Sequence, residues 1–325
     1  MTSVKGGKGP AATITIGASV SPTLATLLST EINQGLAKII AVTPSTSVFV
    51  YTPGNLSNPG AGTRFGRVPT VHAAPGAINV EQGAPTQAGQ QITLQGKAQG
   101  IVLTGSTSAR LVGHVANQFG SVELLVGNEG SDTIGGGGGS GTIISGSGTN
   151  KIHAGSGDMV VYSHGSADTI KGGAGIDNVD AFGSATVTAG SGLLVFTDSG
   201  TASSHFLVEG ASSGAMVAYS GLGSDTFVGG SGTSTSYMQD SGQGGVTFEI
   251  GAPGAGGFDL ISGFDSNAGN LDTLSGAFFT HLARFDTAGG GNSKVTVVGG
   301  SAYIHLGNTE VVFVGVNSVS TIIGT

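Results

Sequence analysis

The sequence predicts a mainly all-β protein: a parallel β-roll or β-solenoid between an N-terminal β-rich domain with one helix and a C-terminal β cap. Three observations predict this fold class. Glycine accounts for 62 of the 325 residues, and charged residues for only 9 % of them, while mean hydropathy stays positive at +0.23. Short apolar segments recur between glycine-rich turns, and from Gly127 they recur every nine residues. Frequent turns with β-branched residues between them are typical of repetitive β architectures.

The N-terminal region contains the one convincing helix. Ser21 followed by Pro22 is a good helix start, with a capping residue before a proline at the first helical position. Leucines and isoleucines then follow at spacings of three and four up to Ile40, which gives one apolar face. We expect this helix to pack on a sheet or to cap the end of a stack. Before it, a glycine- and lysine-rich arm contains an alternating stretch that indicates a short strand, namely Thr13, Ile14, Thr15 and Ile16.

Composition shifts divide the chain into four predicted parts. Residues 1–20 form the arm, and residues 21–125 a β-rich domain with the helix. Residues 126–256 form the roll of repeats, and residues 257–325 the C-terminal cap. Within the second part, residues 52–90 are rich in proline, glycine and alanine and are predicted to be irregular loops. Short strands spaced about ten residues apart follow, as expected for a sandwich or a solenoid.

The repeat is visible when the sequence from Gly127 is written in blocks of nine. The fourth position of the block is glycine in five of the first six blocks. The eighth position is apolar in all six blocks, at Ile134, Ile143, Ile152, Val161, Ile170 and Val179. The pattern resembles the nonapeptide G-G-x-G-x-D-x-U-x of repeats-in-toxin proteins, a calcium-binding parallel β-helix repeat. The resemblance implies that two nonapeptides make one coil and that the apolar residue points inward.

The resemblance also implies where calcium would bind, because consensus aspartates and turn carbonyls of successive coils share each ion. One edge of the roll offers Asp132, Asn150 and Asp168, with the turn carbonyls of Gly130 and Gly148. The other edge offers Gly141, Met159 and Asp177, and it lacks a full site because Met159 presents no oxygen. Asp225 is an isolated further candidate. We therefore expect calcium at a few sites, and the alternative is that serine, threonine and asparagine have replaced ion bridges with hydrogen-bonded ladders.

The segment 257–276 is similar to the C-terminal domain of type I secretion substrates, in which two short aspartate-containing elements precede closing strands. The matching residues are Asp259, Ile261, Phe264, Asp272, Leu274 and Ser275. The alternative is an ordinary polar cap that blocks the open edge of a solenoid. The N-terminus has no apolar core of a secretory signal peptide. The resemblance then implies export through a C-terminal signal to the surface or exterior of a Gram-negative bacterium.

Several function classes are disfavoured by the residues themselves. Without cysteine, the chain has no disulfide, thiol nucleophile or cysteine-bound zinc. The sequence contains no His-Glu-x-x-His, Gly-x-Ser-x-Gly or phosphate-binding Gly-Lys-Ser/Thr motif, and its seven histidines are scattered. No catalytic residue is therefore proposed, although a carbohydrate-active enzyme with carboxylates outside known motifs stays an alternative. Eleven basic residues without a basic stripe argue against nucleic acid, and no apolar run is long enough for a membrane span.

Charge distribution leads to the functional hypothesis. Residues 1–125 carry seven basic and three acidic residues, a net charge of +4, whereas residues 126–325 carry four basic and sixteen acidic residues, a net charge of −12. Opposite charges favour head-to-tail association of the chain with itself. We therefore expect an extracellular structural protein that assembles into a fibre, surface layer or biofilm matrix, with the arm adding a strand to a neighbour. The alternative is a calcium-dependent adhesin that binds anionic polysaccharide or a cell surface.

Overall fold

The structure is a computed structural model that describes part of the chain. The described residues are 2–4, 12–14, 22–42, 48–51, 65–67, 78–85, 87–94, 98–114, 122–250, 255–264, 272–275 and 293–317. They form two compact units, residues 1–169 (unit 1) and residues 170–325 (unit 2). Strands make up 51 % of the structure, with one helix, and both units are coils of a parallel β-solenoid. The predicted fold class is thereby confirmed.

Unit 1 begins with a hairpin of β1 (Thr2–Val4) and β2 (Ala12–Ile14), followed by the helix α1 (Pro22–Val42). One parallel sheet contains β3 (Val48–Tyr51), β5 (Ile78–Gly83), β7 (Ala98–Leu103), β9 (Val122–Val126), β11 (Ser140–Ile144) and β13 (Met159–Ser163). The other contains β4 (Phe65–Arg67), β6 (Gln90–Thr93), β8 (Ala109–Val112), β10 (Thr133–Gly135) and β12 (Lys151–His153). The strand β14 (Asp168–Lys171) spans the boundary between the two units.

Unit 2 repeats this plan with coils that depart from the 18-residue length of paired nonapeptides. Its first sheet contains β15 (Ile176–Ala181), β17 (Leu193–Asp198), β19 (Ala215–Tyr219), β21 (Gly232–Gln239) and β23 (Gly256–Ser262). Its second contains β16 (Ala185–Thr188), β18 (His205–Glu209), β20 (Ser224–Val228), β22 (Val246–Glu249) and β24 (Thr273–Ser275). The first sheet ends in an antiparallel meander of β25 (Ser293–Val298), β26 (Ser301–Leu306) and β27 (Thr309–Val314), in which β27 pairs with β23 in parallel.

The nine-residue period sets the core of unit 1. Ile134 lies opposite Ile152 in one sheet, and Ile143 lies opposite Val161 in the other, so two repeats make one coil, as predicted. All four side chains are at most 1 % exposed. Each strand therefore places its apolar eighth residue between the two sheets, and stacking repeats this contact in every coil.

The predicted helix is confirmed, and it packs on the outer face of a sheet in unit 1. Leu28, Ile32, Leu36 and Ile39 are buried against an outward-facing apolar patch that consists of Val80, Val102, Leu124, Val126 and Ile144. Gly35 permits the close approach, since a Cβ atom there would lie 2.9 Å from Leu124 Cδ1. The strand β9 is consequently buried on both faces. Across the described ranges, no helix has the length and apolar content that crossing a membrane requires.

The prediction of irregular loops over residues 52–90 is wrong in part. The short strands β4 and β5 lie within this range, in register with β6 and β7 of the following coils. Coil architecture therefore begins well before the first recognisable nonapeptide. These strands have only three and six residues, and they are stable because each pairs in parallel with a neighbouring strand. Their amino-acid composition alone does not predict a strand.

An aromatic column replaces the aliphatic core in unit 2. The column runs through Phe196, Phe206, Phe227, Phe248, Phe264 and Phe313, and the ring centroids of successive contacts lie 5.4–6.4 Å apart in tilted or edge-to-face geometry. Edge-to-face pairs add about 0.5–1.5 kcal/mol to the burial of each ring.

We predict that Phe227→Ala destabilises unit 2 severely. Phe227 is fully buried between Phe196 and Phe248, and truncation of such a ring costs about 3–5 kcal/mol. Urea unfolding followed by circular dichroism measures the loss. Leu222→Ala, at a side chain that is 49 % exposed in the same unit, is the matched control. Equal losses in the two variants would contradict the role of the column.

Candidate functional site: the aspartate columns

Three predicted calcium ligands do come together in unit 1. Strands β10 and β12 pair in register, so Asp132 and Asn150, which immediately precede them, lie in neighbouring coils at the same corner. Asp168 occupies the same corner one coil further on, and its carboxylate reaches Asn150. Asp132, Asn150 and Asp168 are at most 1 % exposed. We call these three residues the unit 1 column.

Asp132 joins two coils and closes its own turn. Its Oδ1 accepts a hydrogen bond from the N–H of Ala109 in the preceding coil at 2.7 Å. Its Oδ2 accepts one from the N–H of Asn128, four residues earlier, at 2.8 Å. Burial raises the pKa of Asp132 to about 6, and the two backbone donors oppose that rise. The carboxylate therefore links two backbone segments by hydrogen bonds, and we call this arrangement a staple.

The same arrangement continues through Asn150 and Asp168. Asn150 Oδ1 accepts the N–H of Asp132 at 2.9 Å, and Asp168 Oδ1 accepts the N–H of Asn150 at 2.7 Å. Asp168 Oδ2 accepts the hydroxyl of Ser163 at 2.6 Å and the N–H of Gly165 at 3.2 Å. Every side-chain oxygen in the column thus accepts at least one hydrogen bond.

The donors around the unit 1 column fit a hydrogen-bonded ladder better than a calcium site. Calcium takes six to eight oxygen ligands, whose lone pairs must face the ion. Here backbone N–H groups point at the carboxylates, and the Asn150 amide nitrogen lies between Gly148 O and Asp168 Oδ1, 3.0 Å from each. The ladder is the alternative that the sequence left open, and the residues as arranged do not fit a cation at this corner. Position 148 must be glycine for the coils to stack this closely, because a Cβ atom there would collide with Gly130 O of the preceding coil.

The second predicted edge contains no comparable set in unit 1. Gly141 and Met159 lie side by side, and the Met159 side chain is 1 % exposed in the core. Glu123, opposite Gly141, holds this corner instead: its carboxylate is fully buried and accepts the N–H groups of His114 and Gly137, each at 2.9 Å. Sequence reasoning missed Glu123 because it precedes the first nonapeptide.

Aspartates of unit 2 hold their own turns. Asp177 Oδ2 accepts the N–H of Gly173 at 2.6 Å, which closes the turn before β15. Asp225 is alone in its column, with Phe206 and Val246 as its neighbours in register. In register, Asp225 therefore has no carboxylate in the coil before or after it, and its role as a calcium ligand stays a prediction.

A second carboxylate, Asp198, lies close to Asp225. Asp198 is 7 % exposed and Asp225 2 % exposed. Asp198 Oδ1 accepts the N–H of Gly200 at 2.6 Å, and Asp225 Oδ2 accepts the N–H of Gly221 at 3.3 Å. Within the described residues, no hydrogen bond of ordinary geometry reaches Asp198 Oδ2 or Asp225 Oδ1, although the N–H of Phe206 and the carboxyl of Asp198 lie near enough to Asp225 to act on its pKa. Burial, and second the charge of Asp198, raise the pKa of Asp225 to about 7. Two neighbouring buried carboxylates fit a shared proton or a divalent cation.

The aspartates that resemble those of a secretion domain are buried in the last coils of unit 2. Asp272 Oδ1 accepts the N–H of Val246 at 3.0 Å, and it repeats the staple of Asp132. Asp259 lies fully buried in β23, next to Ser236 in register. No hydrogen bond of ordinary geometry reaches either of its oxygens from the described residues. Burial raises the pKa of Asp259 to about 7, and the nearby Ser236 hydroxyl and Gly230 N–H oppose that rise. These aspartates therefore fit a closing cap, and the secretion role stays a prediction.

Histidines take part in helix docking and turn packing. His164 Nε2 lies 2.7 Å from Glu31 Oε2 of the helix, and both side chains are at most 5 % exposed. The hydroxyl of Tyr162 donates to Gln34 Oε1 at 2.8 Å beside them. Among the residues that the structure describes, no three His, Asp or Glu side chains converge as a metal cluster.

We predict that Asp259→Asn stabilises unit 2 at pH 8 and has little effect at pH 4. The raised pKa means that the folded chain holds the Asp259 proton more tightly than the unfolded chain does. The stability linked to this proton is complete below about pH 4 and is lost as pH rises to about 7, with about 1.4 kcal/mol per pKa unit. Asparagine stays neutral, so the variant avoids that loss. Thermal melting at both pH values measures the difference.

The control for this prediction is Asp158→Asn, which removes one exposed carboxylate in unit 1. An Asp259→Asn variant that melts below the wild type at pH 8 would show that the ionised carboxylate is needed for packing, which contradicts the prediction.

Comparison with known proteins adds no relative from which a role could be transferred. No family model matches the chain, and no curated protein or solved structure is significantly similar to it. The resemblance to repeats-in-toxin proteins therefore stays a prediction that rests on the repeat residues. What the structure shows is a β-solenoid with stapled corners.

Proposed function

We propose that this chain is a secreted structural protein that assembles with copies of itself outside a Gram-negative cell. The observation that carries the proposal is the outermost strand of unit 2. The strand β25 ends the first sheet, and no described strand pairs with its outer edge. Val297 and Val298 on this strand are 43 % and 59 % exposed. An exposed apolar edge strand is a template for pairing with another chain.

The register of β25 shows which of its exposed side chains continues the core face of the sheet. Val297 lies opposite Ala302, which in turn lies opposite Phe313, and the latter two are fully buried. Val297 therefore extends the core face of the sheet into an exposed position. Val314 on β27 adds a further valine that is 41 % exposed. A second copy that adds a strand to the outer edge of β25 would pack its side chains against Val297 and Val298 and would extend the sheet by backbone pairing.

Charge and chain order favour a head-to-tail contact. The first 125 residues carry a net charge of +4 and the remainder −12, so the two parts of neighbouring molecules attract each other. A contact between different surfaces of identical chains is heterologous and propagates into open polymers. Calcium and polysaccharide binding are not needed for this contact.

The N-terminal arm is a second candidate for the contact. Thr13 and Ile14 lie in β2, opposite Ser3 and Thr2 of β1, so this part of the predicted assembly strand belongs to a hairpin. Thr15 and Ile16 lie outside the described residues. An arm that contributes to assembly would therefore add as a two-stranded hairpin, and the single extended strand that the sequence suggested is not required.

We predict that Val297→Lys reduces polymer formation by about tenfold or more, because a charged edge residue opposes strand addition. Electron microscopy and sedimentation velocity of the full chain measure the polymer, and circular dichroism checks folding. Leu222→Lys adds the same charge at a side chain that is 49 % exposed and away from the edge strand, and it should assemble like the wild type. Polymers that persist in Val297→Lys would overturn the edge contact. Dispersed wild-type monomers that bind acidic polysaccharide would favour an adhesin instead.

We propose that calcium, where it binds, is held by Asp198 and Asp225 of unit 2. The two neighbouring carboxylates repel each other, and an ion there would neutralise both, with turn carbonyls or water as its further oxygen ligands. We predict that calcium binds the calcium-stripped protein and that Asp225→Asn weakens this binding by about tenfold or more, because one charged ligand is lost. Isothermal calorimetry measures both. Asp158→Asn is the control, and binding that is unchanged in Asp225→Asn would place the ion elsewhere.

A further inference from the structure

The side chain of Asn150 connects three coils at the unit 1 column. Its Oδ1 accepts the N–H of Asp132 at 2.9 Å, while its Nδ2 donates to Gly148 O and to Asp168 Oδ1, each at 3.0 Å. The opposite amide orientation would aim an oxygen at two acceptors and a nitrogen at a donor. The hydrogen bonds therefore fix the amide in one orientation.

The nitrogen of this amide joins the two kinds of oxygen that a calcium ion prefers. Gly148 O is a turn carbonyl, and Asp168 Oδ1 belongs to a carboxylate of the following coil. The N–H bonds carry their partial positive charge toward both oxygens. Asn150 is fully buried, so solvent does not weaken these contacts.

Along the unit 1 column, the neutral amide of Asn150 lies between two carboxylates. Asp132 and Asp168 flank the neutral Asn150, so the two carboxylates stand two strand spacings apart, roughly 10 Å. A carboxylate at position 150 would place three buried carboxyl groups one strand spacing apart, with only the backbone N–H groups of residues 132 and 150 as donors between them. At a pH where all three are ionised, that set would need a cation to neutralise it.

We propose that the side-chain amide of Asn150 takes the place of a bound cation, so that this edge of unit 1 is stable without metal. The inference is independent of polymer formation and of any ion at Asp198 and Asp225. It states that calcium removal leaves residues 128–169 unchanged and that a single substitution, Asn150→Asp, makes them depend on calcium.

Hydrogen exchange of the full-length protein, read by mass spectrometry on peptides within residues 128–169, tests both statements. Wild-type exchange should be the same in millimolar calcium and in chelator. Asn150→Asp should exchange about tenfold faster in chelator and recover most of its protection in calcium, since local opening governs exchange. Asn150→Leu has a similar size but neither amide nor charge, and it should lose protection that calcium does not restore.

Three results would overturn the proposal. Wild-type peptides that lose protection in chelator would show that an ion already holds this edge. Full protection of Asn150→Asp in chelator would show that the amide is not needed. Faster exchange that calcium fails to repair would show that amide and ion are not equivalent there. If Asn150→Asp fails to fold in chelator, refolding it in calcium gives the same comparison, and failure in both conditions also counts against the proposal.

Discussion

The coils of this protein depend on one recurring hydrogen bond, from a backbone N–H at a corner of one coil to a buried side-chain oxygen of the next. Parallel strands hydrogen-bond to each other along their lengths, but at the corners the chain turns and leaves N–H groups without strand partners. Buried N–H groups without acceptors cost about 1–3 kcal/mol each. Asp132, Asn150, Asp168 and Asp272 each supply the missing acceptor. Glu123 does so at the other edge with a longer side chain.

This bond explains why a chain with so few charges keeps buried aspartates. A buried carboxylate is costly unless donors surround it, and the raised pKa values of Asp132, Asp225 and Asp259 record that cost. Backbone donors oppose the rise at both Asp132 and Asp225, and the neighbouring charge of Asp198 adds to the rise at Asp225. A carboxylate pair such as Asp198 and Asp225 is therefore where a proton or a cation would add stability.

Sequence alone predicted the parts of the fold that repeat. A fixed nine-residue period places Ile134 opposite Ile152, and it also brings Asp132 and Asn150 to one corner, because register in a parallel stack follows chain spacing. The helix was visible because its apolar face has a period of its own. Asp198 could not be found in the same way, because it lies where the coils lengthen and the period stops. Its proximity to Asp225 depends on the path of a turn that no spacing rule describes.

The two units show what happens to a solenoid when the period is relaxed. Where the nine-residue period holds in unit 1, coils of 18 residues enclose aliphatic residues, and polar side chains at the corners satisfy one another. In unit 2 the coil length varies from 17 residues (176 to 193) to 26 residues (247 to 273), phenylalanines such as Phe206 and Phe248 lie in the core, and the corner positions vary from Asp225 to Val246. Val246 has no side-chain acceptor, so the N–H of Asp225 bonds to Gly245 O at 3.3 Å, and the N–H of Val246 itself bonds to Asp272 of the following coil. The staple therefore acts between coils, and a corner residue in one coil is constrained by the N–H group of the coil before it.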